Sequence, residues 1–159
     1  MVHAATLLGV IACLTCHASA SQAGSGGPVP GQPAARACAV LTRDLVAPFT
    51  ENKKVLDLLP PEEEALGTTG TACTYGAVRL QLFPGRGGKP TVSAKDLQPI
   101  TGAGEGGFFR SNRDRYAELM VWTSKHRVDL QVSVPSGRTA EAIKPDVLAL
   151  ANAILAKLP

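Results

Sequence analysis

Residues 116–134 read YAELMVWTSKHRVDLQVSV, and the two halves of this stretch decide the fold class. In residues 127–134, Val128, Leu130, Val132 and Val134 alternate with Arg127, Asp129, Gln131 and Ser133. That is the period of a strand with one face in a core and the other in water. In residues 116–123, Leu119 and Val121 share one face, while Tyr116, Met120 and Trp122 share the other. Both faces are largely apolar, which places this strand in the interior of a sheet. Ser124, Lys125 and His126 make a short polar break between the two runs, which therefore fold back as an antiparallel hairpin.

Outward from the hairpin, residues 77–83 alternate again, with Val78, Leu80 and Leu82 set against Arg79 and Gln81. Phe108 and Phe109 open a further strand. Two helices frame this sheet. The C-terminal one is expected to start at Pro145, which suits a first helical turn, with Asp146 at the positive end of the dipole. Val147, Leu150, Ala151, Ile154 and Leu158 follow at helical spacing, and Leu148 and Leu155 widen the stripe. The N-terminal helix is expected to start at Thr42 as cap, with Asp44 in its first turn, Leu45 and Val46 facing inward, and Pro48 ending or kinking it. Residues 53–60 fit either helix or strand. The Glu62, Glu63, Glu64 run and residues 67–70 read as exposed loop. The expected architecture is α+β: an antiparallel sheet packed by an N-terminal and a C-terminal helix, in one domain over residues 36–159.

The N-terminal segment is different in kind. The first 23 residues contain no Asp, Glu, Lys or Arg, and residues 4–14 form an apolar run too short to span a bilayer. Such a run suits the core of a signal peptide, and Ala18-Ser19-Ala20 supplies a small-x-small cleavage site, making residues 1–20 the signal. Residues 21–35, rich in Gly, Ser, Pro and Gln, then form a disordered linker. A second reading stands beside this one. Val10-Ile11-Ala12-Cys13 also fits cleavage before a lipid-modified cysteine, which would anchor the chain to a membrane through Cys13 and leave Cys16 as a spare thiol. Both readings export the chain, to the periplasm, the exterior or a membrane surface. Cys13 to His17 also spell C-x-x-C-H, a haem attachment pattern, but inside a segment that export discards. No haem or other cofactor is expected.

Cleavage leaves Cys38 and Cys73, and an oxidising compartment favours their pairing. Cys38 precedes the first helix and Cys73 precedes a core strand, so a disulfide would pin one to the other. It closes a loop of about 36 residues, for roughly 3 to 4 kcal/mol in the chain-entropy account.

Several blocks resemble a family of uncharacterised bacterial secreted and lipoprotein domains. Cys38-Ala39-Val40-Leu41-Thr42-Arg43-Asp44-Leu45 is similar to their C-x-L-L-T opening, and Thr71-Ala72-Cys73-Thr74-Tyr75 to their second cysteine block. Residues 101–109 (TGAGEGGFF) are similar to their G-x-G-[DE] segment, and residues 150–158 to their closing helix. The chain departs from that pattern after the first helix, where Pro48 and residues 49–59 intervene. The resemblance implies an antiparallel α+β domain and carries no activity or catalytic residue with it.

Chemistry-bearing patterns are few. Gly102-x-Gly104-x-x-Gly107 satisfies G-x-G-x-x-G, but it runs into Phe108-Phe109-Arg110 and a strand, where a dinucleotide site requires a helix. The segment Gly85-Arg86-Gly87-Gly88-Lys89 lacks the spacing and Ser/Thr of a phosphate loop. Beyond the signal only His126 remains, too little for a multi-histidine metal site, and the Glu62–Glu64 run is a solvated charge run. No catalytic, cofactor-binding or metal residue is assigned. Two function classes stay open. The first is a non-catalytic binding module that uses the sheet face or a positive region made of Arg110, Arg113, Arg115, Lys125 and Arg127. That region suits an anionic envelope component or another envelope protein. Nucleic acid is not expected as a partner, because aromatic residues make up only 4% of the chain and offer few stacking platforms. The second class is a small extracytoplasmic enzyme with a pocket near Glu118 and Trp122, in which a buried Glu118 of raised pKa would serve as general acid or base.

Overall fold

The alternating runs become neighbouring strands of one seven-stranded sheet, antiparallel throughout. The computed structural model describes residues 35–85, 96–113 and 115–159. In chain order the strands are β1 (Glu62–Leu66), β2 (Gly70–Tyr75), β3 (Val78–Pro84), β4 (Gln98–Ile100), β5 (Gly106–Asn112), β6 (Tyr116–Trp122) and β7 (His126–Ser133). Their spatial order is β1-β2-β3-β7-β6-β5-β4. Two meanders thus meet where β3 pairs with β7, with Leu80 opposite Leu130 and Val78 opposite Val132. Leu130 in turn faces Leu119, and Leu119 faces Phe109, so one apolar row crosses four strands.

Helices cover the face on which that row lies. Helix α4 (Ala140–Leu155) packs on β5, β6 and β7, burying Ile143, Val147, Leu150, Ala151 and Ile154. The other half of the sheet is covered by single turns: α1 (Ala37–Val40), α2 (Arg43–Val46) running into a 3-10 turn (Ala47–Phe49), and α3 (Val55–Leu58). They contribute Ala37, Val40, Leu41, Val46, Phe49 and Leu56 to the core. Among the described residues no polar or charged side chain is fully buried. The disulfide joins Cys38 to Cys73, with Cα atoms 5.0 Å apart, and so clamps α1 to β2. Around it, Thr71 Oγ1 accepts from Ala37 N at 3.0 Å and donates to the Ala35 carbonyl at 2.9 Å. Tyr75 Oη donates to the Leu56 carbonyl at 2.9 Å and holds α3 in place.

Three expectations need correction, and one alternative left open is resolved. Helix α4 starts at Ala140, five residues before Pro145, because Thr139 Oγ1 caps it by accepting from Ala142 N at 3.2 Å. Pro145 sits inside the helix with its ring exposed, where the loss of one backbone donor is tolerated by an already nucleated turn. The Glu62, Glu63, Glu64 run is not loop but the edge strand β1, held by backbone pairing with β2. Its glutamates pair on opposite faces, Glu63 with Arg36 and Glu64 with Arg79. Cys38 lies inside α1 and not before the first helix, while Cys73 lies within a strand of its own, β2, ahead of β3, since Thr71–Thr74 pair with both β1 and β3. Residues 53–60 resolve to the single helical turn α3, anchored by the buried Leu56. The expected signal segment, most of the expected linker, Cys13 and Cys16 lie outside the described residues.

The G-x-G-x-x-G segment is the turn between β4 and β5 and the start of β5. Gly104 has φ +56°, and a Cβ there would stand 2.5 Å from the Trp122 carbonyl oxygen, so only glycine fits against the end of β6.

Replacing Cys38 and Cys73 together by Ala should lower unfolding free energy by about 3 to 4 kcal/mol, a large share of the roughly 5 to 15 kcal/mol typical of a domain. Urea denaturation of the variant, and of the wild type with and without reductant, checks the loss.

Candidate functional site

On every strand the residues between the core positions point to the second face of the sheet. No helix lies on that face among the described residues. Register sorts its side chains into rows across β3, β7, β6 and β5. The first row is Arg79, Gln131, Glu118 and Arg110. The second is Gln81, Asp129, Met120 and Phe108. The third is Phe83, Arg127, Trp122 and Gly106. A groove of about 260 Å³ runs over the first two rows, and Leu97, from the segment before β4, completes its lining.

The first row is a network of engaged charges. Arg110 Nε donates to Glu118 Oε2 at 2.8 Å and Arg110 Nη2 donates to the same oxygen. Asn112 Nδ2 donates to Glu118 Oε1 at 3.0 Å, with Gln131 Nε2 at 3.4 Å. Arg79 is paired with Glu64 at 2.8 Å. Burial acts to raise the Glu118 carboxyl, but the hydrogen bonds of Asn112 and Arg110, the Arg110 charge and Gln131 outweigh it and hold it below the usual carboxylate range. Glu118 therefore lies in a concave site, as a catalytic role would require, yet its proton is lost more readily than usual. That is the opposite of a general acid's requirement near neutral pH.

The second row holds the residue that differs. Asp129 Oδ2 accepts from Arg127 Nη2 at 2.9 Å, while its Oδ1 is buried and has no partner among the described residues. Burial raises its carboxyl, and the Arg127 charge and hydrogen bond offset that only in part. Arg127 is itself fixed in place, its guanidinium 4.2 Å from the Phe83 ring centroid. The aromatic side chains of the third row rest on glycines. A Cβ on Gly70 would stand 2.8 Å from Phe83, and one on Gly106 would stand 3.1 Å from the Trp122 indole. Phe108 meets Trp122 with ring centroids 5.5 Å apart.

The five cations of the expected positive region are not gathered in one place. Arg110 lies in mid-sheet, paired with Glu118, and Arg127 at the start of β7, paired with Asp129. Arg113 and Arg115 flank the β5–β6 turn, whereas Lys125 lies in the β6–β7 turn. The length of β6, roughly 20 Å for its seven residues, separates the two turns. His126 opens β7, half-buried, with its imidazole pKa lowered by burial and by Lys125. Among the described residues no group of three His, Cys, Asp or Glu side chains is placed to hold a metal ion, and no helix is long and apolar enough to cross a membrane.

Sequence reasoning passed over Asp129, Gln81 and Phe108 as site residues, since the polar half of an alternating strand reads as solvated surface. One signal was present: an acid in the middle of a strand paired on both sides is hemmed in by its cross-strand neighbours.

The two groove carboxyls should leave opposite pH signatures. Glu118 is lowered on folding, so its contribution is present above the unfolded-state value of about 4.3 and is lost as pH falls through the folded value. Asp129 is raised, so ionising it costs stability, and that cost develops as pH rises from about 3.9 through the folded value. Glu118→Gln should lower stability at neutral pH by about 0.2 to 1 kcal/mol, the range of a partly exposed pair, with the gap closing in acid. Asp129→Asn should gain on the wild type as pH rises. Denaturant curves across the acid-to-neutral range check both signs.

Comparison of the chain with family models, with curated proteins and with solved structures found no match in any of the three.

Proposed function

We propose that this chain is an exported, non-catalytic binding module that holds its partner on the second face of the sheet. The observation that carries the reading is the asymmetry of the two faces. One is covered by helices and lined mainly by apolar side chains, while the other leaves a groove of about 260 Å³ beside Phe108 and Met120. Concave sites that combine apolar walls with a few convergent polar groups are where ligands bind. The export half of the proposal is supported by the Cys38–Cys73 bond, a type of bond that persists in oxidising compartments. The non-catalytic half is supported by Glu118, whose carboxylate is occupied by Arg110 and Asn112 and so serves to fix side chains in the groove wall.

The test is sedimentation of the full chain with isolated envelope from the producing cell. Gln81→Lys combined with Met120→Lys fills the groove with cations on an already solvated face, so folding should survive, as a melting curve would verify. Retention should fall at least tenfold, whereas Glu141→Lys on the helical side should be retained like the wild type. Equal retention of all three proteins, or none for the wild type, would refute the reading.

A further inference from the structure

We infer that residues 53–64 (KKVLDLLPPEEE) form a self-pairing surface, on which a second copy of this chain docks about a two-fold axis beside Leu58 and Leu59. The surface shares no residue with the groove lining, so the inference goes beyond the groove reading and does not depend on it.

The apolar centre of the surface comes from the way α3 is held. Leu56 is buried and its carbonyl accepts from Tyr75 Oη, which fixes the turn with Leu56 inward. Leu58 is then 76% exposed and Leu59 62%, the highest values for large apolar side chains among the described residues. A lone exposed leucine is ordinary, but two adjacent ones on a fixed turn begin a contact surface. Pro60 and Pro61 restrict the backbone between the leucines and β1. Little ordering is therefore left to lose when a partner binds.

Charge selects the occupant. Lys53 and Lys54 precede the leucines, and Glu62, Glu63 and Glu64 follow them. The midpoint of the leucine pair is also the midpoint between Lys54 and Glu63 and between Lys53 and Glu64, so opposite signs stand at equal spacing along the chain. A two-fold axis there sets the lysines of each copy against the glutamates of the other, the self-complementarity that an isologous contact requires. Glu63 and Glu64 are already held by Arg36 and Arg79, and Asp57 by Arg43. Lys53, Lys54 and Glu62 are exposed and form no ion pair among the described residues, which leaves them as the charges free to cross the axis. Lys54 stands about one helical turn before Leu58, roughly 6 Å. Glu62 stands three extended residues after Leu59, roughly 10 Å. Side chains as long as these take up the difference.

Other occupants fit less well. An anionic lipid surface would meet Asp57 and the glutamates beside the leucines. Self-pairing of β1 through its free outer edge would bring the glutamates of both copies together. An apolar partner of another sequence would leave the lysines and Glu62 without counter-charges. Two leucines and their flanks fall short of the roughly 800 Å² per partner of a stable complex, so the dimer is weak, with a dissociation constant of about 0.1 to 1 mM.

Sedimentation equilibrium of the full chain from about 10 μM to 1 mM tests the inference. The wild type should pass from monomer towards dimer over that range. Leu58→Ser combined with Leu59→Ser should weaken association at least tenfold, with an unchanged melting curve because both positions are exposed. Lys53→Glu combined with Lys54→Glu, and separately Glu62→Lys, should each weaken it at least threefold. Mixed in equal amounts, these two charge variants should recover wild-type association, since each carries the sign that the other lacks. The inference is overturned if the wild type stays monomeric or grows beyond a dimer, if the leucine variant dimerises like the wild type, or if the mixed charge variants do not recover. Binding of a monomeric chain to anionic phospholipid vesicles through the two leucines would overturn it as well, and would give the surface to a membrane.

Discussion

A sheet of seven strands has two faces, and the helices among the described residues cover only one of them. The inner face buries an unbroken apolar row, Leu80, Leu130, Leu119 and Phe109, beneath α4 and the short N-terminal turns. Those turns are too brief to be stable as isolated helices. The disulfide from Cys38 to Cys73, the Thr71 hydroxyl and the Tyr75 hydroxyl tie them to β2 and make the cover continuous. The side chains of the opposite face answer to its having no such helical cover among the described residues.

An uncovered sheet face must stay in water without becoming a sticky plane, and the side chains on this one achieve it in two ways. Carboxylates and guanidiniums pair on it, Glu64 with Arg79 and Glu118 with Arg110 between strands, and Asp129 with Arg127 along β7. Large rings pack against glycines, Phe83 on Gly70 and Trp122 on Gly106, which hides part of their area from water. The edge strand β1, with its three glutamates, is guarded by charge in the manner that discourages edge pairing. Within this otherwise balanced surface, Asp129 Oδ1 and Arg127 Nε are buried without partners among the described residues. Of these two residues, Asp129 lines the groove.

The core half of this organisation was legible in the sequence. Period-two runs around Val128 and Leu80 locate β7 and β3, and the leftover pair of cysteines locates the clamp. What escaped has physical reasons. Strand β1 is held by its backbone and by ion pairs with distant arginines, so a run of glutamates carries no strand signature. Helix α4 begins at a Thr139 cap that precedes a proline, and the proline is the louder signal. The groove was illegible because its walls come from β3, β5, β6 and β7, whose spatial order differs from their order in the chain. Alternation told that Asp129 faces away from the core, but only the register shows Gln81 and Met120 closing around it. The same register disperses Arg113 and Arg115 from Lys125, which sequence proximity had grouped together.

The claim that this second face is open and is where the protein works can be tested with two natural reporters, since Met120 and Trp122, the one tryptophan of the chain, both lie on it. Hydroxyl-radical footprinting of the full chain, free and bound to envelope, reads their oxidation directly. The account predicts that both residues oxidise readily in the free protein and become protected on binding, while Phe109 on the inner face stays protected in both states. Protection of Met120 and Trp122 in the free protein, or unchanged oxidation on binding, would contradict it.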